Sequence, residues 1–157
     1  MTTALIRPDI LYAWKGPSLL IVNTRGGTGL EQTLSGVYYR EARLLRTLRF
    51  EINGHPPWLC DAIVVAPDTL AFTYVYPDVT SPGGGGTGHA DDQEHTDAEG
   101  IPERAIDARI EYTVRIDGVD ARLTIANRAR RPLEIAIGWS LDADFADGSR
   151  RRPACRS

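Results

Sequence analysis

The sequence has few residues of the kinds that hold small proteins together by covalent links or metal ions. Its two cysteines, Cys60 and Cys155, are too few for a disulfide framework and match no metal-binding spacing. Cys60 lies inside an apolar segment, which predicts a buried thiol, whereas Cys155 lies in a basic tail. A chain of 157 residues is long enough to fold around one hydrophobic core without such links.

Long apolar runs and lysine are also scarce. No run approaches the roughly 18 consecutive apolar residues of a membrane-spanning helix, and the first eight residues lack the pattern of a secretory signal. Lys15 is the sole lysine and the net charge is −3, which argues against a nucleic-acid partner. The sequence therefore predicts a cytoplasmic protein that binds neither membranes nor nucleic acid.

A helical period is missing as well, and the dominant pattern is the two-residue alternation of β-strands. Residues 106–116 alternate apolar and polar side chains, and Asp117-Gly118 then predicts a type I′ turn with two positive φ angles. Alternation resumes at Val119, and again over residues 133–141. These segments predict a three-stranded antiparallel meander with one buried face, on which Trp139 points inward.

The first half of the chain is predicted to supply the second layer. Short β-branched or aromatic runs recur between turn residues, at positions 19–22, 37–39, 44–52, 58–65 and 70–76. The fold class is therefore all-β, a two-sheet antiparallel β-sandwich that forms a single domain over residues 1–147. Residues 77–102, with a glycine run and many carboxylates, are predicted to form a long disordered loop.

Motifs for cofactor or metal chemistry are incomplete. The glycine-rich stretch 25–29 lacks the helix start and the Lys-Ser/Thr pair of a phosphate-binding loop, so no nucleotide cofactor is predicted. The acidic stretch follows no defined pattern of metal ligands, so no metal site is predicted there. Its potential ligands are His89, Asp91, Asp92, Glu94, His95, Asp97 and Glu99.

Two kinds of side chain remain as candidates for carbohydrate chemistry. Asp142, Asp144 and Asp147 lie close together, but glycoside hydrolysis needs two carboxylates facing each other across a substrate, so we interpret them as a strand-end turn. No catalytic residue is therefore assigned. Trp14 and Trp58 are candidates for stacking on sugar rings, because aromatic faces pack against the apolar faces of pyranoses.

Two stretches resemble a known family. They are residues 35–45, which include Tyr39, Arg40 and Arg43, and residues 141–147, which include Asp142, Asp144, Phe145 and Asp147. Both resemble the N-terminal domain of bacterial glycogen debranching enzymes of the amylo-α-1,6-glucosidase type. The family pattern has Asp-Thr where this chain has Glu41-Ala42.

The resemblance implies a supersandwich-like domain that packs against a helical-toroid catalytic domain, which would be the partner of this chain. Beyond Asp147 the chain departs from the family, and residues 148–157 are predicted to be a disordered basic tail that arose by truncation or frameshift. Three functions remain open: a non-catalytic accessory module, an independent α-glucan-binding module, and, least favoured, an enzyme that uses Asp142, Asp144 or Asp147.

Overall fold

The computed structural model describes residues 10–24, 34–78, 96–97 and 100–147. The chain there forms nine β-strands and no helix. The strands are β1 (Ile10–Lys15), β2 (Ser18–Asn23), β3 (Gly36–Tyr39), β4 (Ala42–Ile52), β5 (Trp58–Ala66), β6 (Thr69–Tyr76), β7 (Ile106–Val114), β8 (Val119–Asn127) and β9 (Ile137–Asp147).

The strands form two antiparallel sheets. The first sheet has the order β1-β2-β3-β4-β9, and the second has the order β5-β6-β7-β8. Strand β1 contacts β5, β6 and β7 of the opposite sheet. The predicted all-β fold with two antiparallel sheets is therefore confirmed.

The core lies between the inner faces of the two sheets. Alternate residues of β1, β6 and β7 point inward, as period-two alternation requires, and the inward side chains of Leu20, Ile52, Leu70 and Ile110 are completely buried. Aromatic rings extend this core, because Phe50 of β4 packs against Tyr74 of the opposite sheet, with 5.6 Å between ring centroids. Burial of these inner faces supplies the main driving force for folding.

The predicted three-stranded meander is wrong in its last strand. Strands β7 and β8 do form a hairpin, but β9 leaves that sheet and pairs with β4 along its whole length. Residues 128–136 make the crossing possible, because this connection is longer than the tight turn that joins neighbouring strands of a hairpin. Residues 133–136, predicted as the start of that strand, belong to the connection, although Leu133 and Ile135 still pack against the core.

The turn predicted at Asp117-Gly118 is also wrong in type. Four residues, 115–118, separate the paired residues Val114 and Val119, and the Arg115 N–H donates to the Gly118 carbonyl at 2.7 Å. Neither Asp117 nor Gly118 has a positive φ angle, since a four-residue loop does not require one. Two consecutive positive φ angles occur instead at Asn53 (52°) and Gly54 (76°), at the end of β4.

The exposure of Cys60 contradicts the predicted buried thiol. Its strand, β5, lies at the edge of the second sheet, and the pairing register with β6 shifts between Leu59 and Asp61. At such a bulge two residues of one strand lie opposite a single residue of the other, and the extra residue can turn towards solvent. Cys60 occupies this position and is exposed.

The predicted disordered loop, 77–102, lies largely outside the described residues, and its described end is anchored to the sandwich. Asp97 accepts hydrogen bonds from the Tyr76 hydroxyl at 3.1 Å and from the Ile101 N–H at 2.8 Å. Ile101 is 3% exposed and belongs to the core, so this end of the stretch does have a side chain to bury. The predicted tail, 148–157, lies outside the described residues.

Candidate functional site

The turn between β3 and β4 places the first motif of the family resemblance at the surface. Tyr39 and Ala42 are paired across the turn, so Arg40 and Glu41 form its two-residue tip. Arg40 has a φ of 56°, an unfavourable value for a side chain of this size, and its N–H donates to the Pro17 carbonyl at 2.6 Å. Its guanidinium lies 5.5 Å from the centre of the Tyr39 ring, a distance that permits a cation–π interaction.

Pairing of β4 with β9 brings the two motifs side by side. Arg43 is opposite Ala146, Ala42 is opposite Asp147, and Leu45 is opposite Ala143. Segments about a hundred positions apart in the sequence are therefore direct neighbours. The order of the motifs along the chain gave no indication of this contact, because residues 133–141 were predicted to belong to the other sheet. The predicted strand-end turn at Asp142, Asp144 and Asp147 is wrong, since these residues continue β9.

Asp142 takes part in an ion pair with an arginine of the neighbouring strand. Its Oδ2 lies 2.5 Å from the Nη2 of Arg46, across the β4–β9 pairing. Both side chains are partly exposed, so the pair contributes little to stability. Asp144, Phe145 and Asp147 lie on the last part of β9, with Asp147 paired to Ala42 along the backbone.

Trp14 lies on the outer face of the first sheet. Leu11 and Ala13 point into the core, so Ile10, Tyr12 and Trp14 project from the opposite face of β1. Tyr12 is 61% exposed and Trp14 is 54% exposed, although both are large aromatic residues. Their cross-strand partners on β2 are Ile21 and Leu19, so apolar side chains continue across this face.

Lys15 links the end of β1 to the opposite sheet by a salt bridge. Its Nζ donates to the Asp68 carboxylate at 3.1 Å, in the turn between β5 and β6, and the Trp14 N–H donates to the Pro67 carbonyl at 2.9 Å. The hydrogen bond from Lys15, helped by one from the Thr69 hydroxyl, lowers the pKa of Asp68 below its ordinary value. These contacts hold Trp14 next to a shallow groove that also involves Val64.

Trp58 lies at the mouth of a cleft between the sheets, well away from Trp14. The cleft has a volume of about 450 Å³ and is lined from both sheets, with Phe50 and Leu48 on one side and Leu59 and Tyr74 on the other. Trp58 is the first residue of β5, and Val64 is six residues further along the same strand, a distance of about 20 Å in an extended chain. Val64 lines the groove beside Trp14. The two tryptophans thus line separate concavities.

Burial changes the ionisation of two tyrosines in the wall of this cleft. It raises the pKa of Tyr74 strongly, with a smaller contribution from the nearby Tyr112. Burial also raises the pKa of Tyr112. The Tyr112 hydroxyl accepts a hydrogen bond from Trp139 Nε1 at 3.1 Å, which lowers this pKa, but the effect of burial is larger. Both hydroxyls are therefore neutral at physiological pH.

Sequence reasoning missed β1 and the cleft. In β1 the alternation is hidden, because Ile10, Tyr12 and Trp14 are as apolar as the inward-facing residues between them. The available signal was the high β-propensity of these residues directly before the Gly16-Pro17 turn. The cleft gave no local signal, because its walls come from strands that are distant in sequence.

The described residues contain no group of three or more histidine, cysteine, aspartate or glutamate side chains placed to hold a metal ion. Of the seven potential ligands in the acidic stretch, Asp97 alone belongs to the described part of the chain, and it caps the backbone at Ile101. The glycine-rich stretch 25–29 lies outside the described residues. In the same part of the chain, no helix with the length and hydropathy to span a membrane occurs.

Comparison with known proteins gives one match. The model of a family described as the N-terminal domain of (some) glycogen debranching enzymes matches residues 14–150. This match covers β2 to β9, both motifs and the crossing between the sheets. No curated protein and no solved structure matches the chain.

Proposed function

Because the chain belongs to the family of N-terminal domains of glycogen debranching enzymes, we propose that it is a non-catalytic module that packs against a helical catalytic domain. The docking surface is the outer face of β1, β2 and β3, formed by Ile10, Tyr12, Trp14, Leu19, Ile21 and Tyr38. The observation that carries the proposal is the exposure of Tyr12 and Trp14 side by side on this face.

The docking surface is continuous across three strands. Trp14 is opposite Leu19, and Leu19 is in turn opposite Tyr38 on β3. Tyr12 is opposite Ile21 in the next row. A face of this kind, with aromatic residues on β1 and β3 and aliphatic residues on β2 between them, has the composition of the central part of protein–protein interfaces.

Strand β7 of the second sheet has an outer face of the opposite character. Its central residues on β7 are Asp107, Arg109 and Glu111, which alternate with the buried side chains of that strand. Arg109 and Glu111 form an ion pair at 3.0 Å on this surface. The apolar face formed by β1, β2 and β3 is therefore better suited to be covered by a partner than the charged face of β7.

The environment of Asp142 supports the non-catalytic part of the proposal. A glycosidase needs one carboxyl group to protonate the leaving oxygen and a second one on the far side of the sugar. Asp142 is instead held by the Arg46 guanidinium and is opposite Thr47 in the β4–β9 pairing, and it is not among the residues that line the cleft between the sheets. We expect the purified chain to release no glucose from a branched dextrin.

Docking is tested with the helical catalytic domain of a glycogen debranching enzyme, produced without its own N-terminal domain. The chain and this domain are mixed at micromolar concentration and analysed by sedimentation velocity. We expect a one-to-one complex, and we expect Trp14→Ala to weaken it about tenfold or more, because tryptophan and tyrosine are among the residues that contribute most to interface energies. The control is Arg109→Ala on the charged outer face, which should leave the affinity unchanged.

Two results would contradict the proposal. The first is that no complex forms although the chain is folded by circular dichroism. The second is that Arg109→Ala weakens the complex as much as Trp14→Ala does, which would place the interface on the other sheet.

A further inference from the structure

Strand β1 forms one edge of the first sheet, because in that sheet it pairs with β2 alone among the described strands. The Trp14 N–H points away from β2, since it donates to the Pro67 carbonyl at 2.9 Å. In an antiparallel ladder, every second residue directs both its N–H and its C=O to the same side. The backbone groups of Ile10 and Tyr12 therefore also point away from β2, towards the open edge.

The open part of this edge is short. It ends at Trp14, where the hydrogen bond to Pro67 closes the edge. Among the described residues, none supplies a backbone partner to the N–H or the C=O of Ile10 or Tyr12 on this side. Both residues are more than half exposed, at 51% and 61%. Unpaired backbone groups of this kind on an edge strand can bind another extended strand.

The other edge strands of the two sheets carry features that oppose such pairing. Bulges and charged side chains are the usual means by which edge strands avoid contact with a further strand. Strand β5 has two register shifts against β6, β9 has two against β4, and β8 carries the exposed residues Asp120 and Arg122. Strand β1 pairs with β2 in an unbroken register, and its one charged residue, Lys15, is engaged by Asp68.

We propose that two copies of this chain associate through β1, paired antiparallel about a two-fold axis at Leu11. Ile10 of each copy then lies opposite Tyr12 of the other, and each of these pairs exchanges two backbone hydrogen bonds. A register centred on Tyr12 fits less well, because it pairs Ile10 with Trp14, whose N–H already donates to Pro67. Antiparallel pairing of identical strands is self-complementary, as a two-fold interface requires.

The side chains at this contact favour a second copy over an unrelated extended segment. Ile10 and Tyr12 project from the outer face, Leu11 projects from the inner face, and none of them is charged. An aromatic residue opposite a β-branched one is a favourable pair in a sheet, and the two-fold axis makes this pair occur twice. Val64 and Pro67 add apolar surface along the edge. A segment with charged side chains at these positions would have to bury them without partners.

This association does not depend on the proposed docking function. Pairing through β1 joins the first sheets of two copies edge to edge, so the outer face of β1, β2 and β3 stays uncovered in each copy. Each copy can then hold its own catalytic domain, and the ratio of the two components remains one to one.

Sedimentation velocity of the 157-residue chain alone, from micromolar to submillimolar concentration, tests the proposal. We expect an equilibrium between monomer and dimer. Tyr12→Pro removes the N–H at the open edge, which β1 does not use for pairing with β2, and proline is tolerated at such positions of edge strands. Tyr12→Ala is the matched control, because it removes the same side chain but keeps the N–H.

We expect the dimer of Tyr12→Pro to be about thirtyfold or more weaker than that of Tyr12→Ala, since two hydrogen bonds per dimer are lost. Amide hydrogen exchange of the unchanged chain gives a second measurement, which keeps the test valid if Tyr12→Pro does not fold. The Tyr12 amide should exchange rapidly in the dilute monomer and become protected as the concentration rises.

Four outcomes would overturn the proposal. The chain could remain monomeric at submillimolar concentration, or Tyr12→Pro and Tyr12→Ala could dissociate equally. The Tyr12 amide could exchange equally fast in monomer and dimer. Protection of this amide only after the helical catalytic domain is added would assign the open edge to that domain instead. Because dimerisation is measured without the catalytic domain, its failure leaves the docking proposal intact, and a failure to dock leaves the dimer intact.

Discussion

The three tryptophans differ in exposure because different side chains surround them. Trp139 packs against Phe50, with 5.4 Å between ring centroids, and donates its indole N–H to the Tyr112 hydroxyl. Trp14 and Trp58 have no such enclosure and remain exposed. The alternation of residues 133–141 was enough to predict that Trp139 points inward. No local pattern separated Trp14 from Trp58, because their surroundings come from other strands.

We expect Tyr112→Phe to lower the free energy of unfolding by about 1 to 2 kcal/mol, because the Trp139 N–H loses its acceptor in a partly buried position. Chemical denaturation in urea measures the change. Tyr12→Phe, which removes a hydroxyl from an exposed ring, serves as the control and should change the stability little. Equal effects of the two substitutions would show that the hydrogen bond to Trp139 contributes nothing.

Alkaline conditions should destabilise the fold through the two buried tyrosines. The pKa of Tyr74 and that of Tyr112 are raised above the ordinary value of about 10 by burial. Because the pKa of each tyrosine is higher in the folded state, the unfolded chain loses these protons at a lower pH than the folded chain does. The free energy of unfolding is therefore unaffected by these groups below about pH 10 and falls as the pH rises above it.

Urea denaturation at a series of pH values checks this expectation, and Tyr74→Phe should lose less stability above pH 10 than the unchanged chain does. Phenolate absorbance gives an independent readout. If all six tyrosines of the folded chain ionised together near pH 10, the expectation would be wrong.

At the scale of the elements, the bounds of most strands follow from the sequence, but their pairing does not. The predicted strands 70–76 and 106–116 agree with β6 and β7 within one or two positions, because one face of each is uniformly apolar. The pairing of β9 with β4 was missed, since alternation shows which face of a strand is buried but not which sheet the strand joins. Side-chain contacts between distant strands, such as Phe50 with Trp139, determine that choice.

Gly36 shows how closely β3 and β4 approach each other. Its φ is 144°, and a Cβ atom added there would lie 2.3 Å from the Leu45 carbonyl oxygen, which belongs to the backbone and cannot move aside. Gly36→Ala should therefore destabilise the domain by about 3 kcal/mol or more, within the range of severe steric substitutions.

The matched control for Gly36→Ala is Gly138→Ala, where an added Cβ meets nothing within 4 Å. We expect the melting temperature of this variant, measured by circular dichroism, to be close to that of the unchanged chain. A Gly36→Ala variant with the same melting temperature as Gly138→Ala would show that the β3–β4 contact is looser than described.

At the scale of the whole molecule, the apolar outer face of β1, β2 and β3 contrasts with the charged outer face of β7. The alternation of the strands predicted the all-β fold class, which the two sheets confirm, and the resemblance of two motifs predicted the family, which the match over residues 14–150 confirms. The docking surface and the cleft required the structure, because each combines side chains from strands that are separated in sequence. The charged outer face of β7, by contrast, was already visible in the alternation of residues 106–116.

The most direct test of the central claim is fluorine NMR of the chain labelled with 5-fluorotryptophan, because its three tryptophans report on three places at once. When the helical catalytic domain is added, we predict that the resonance of Trp14 shifts or broadens far more than those of Trp58 and Trp139, with each signal assigned from a single Trp→Phe variant. A complex in which the Trp14 resonance stays unchanged would contradict the claim that the outer face of β1, β2 and β3 is the docking surface.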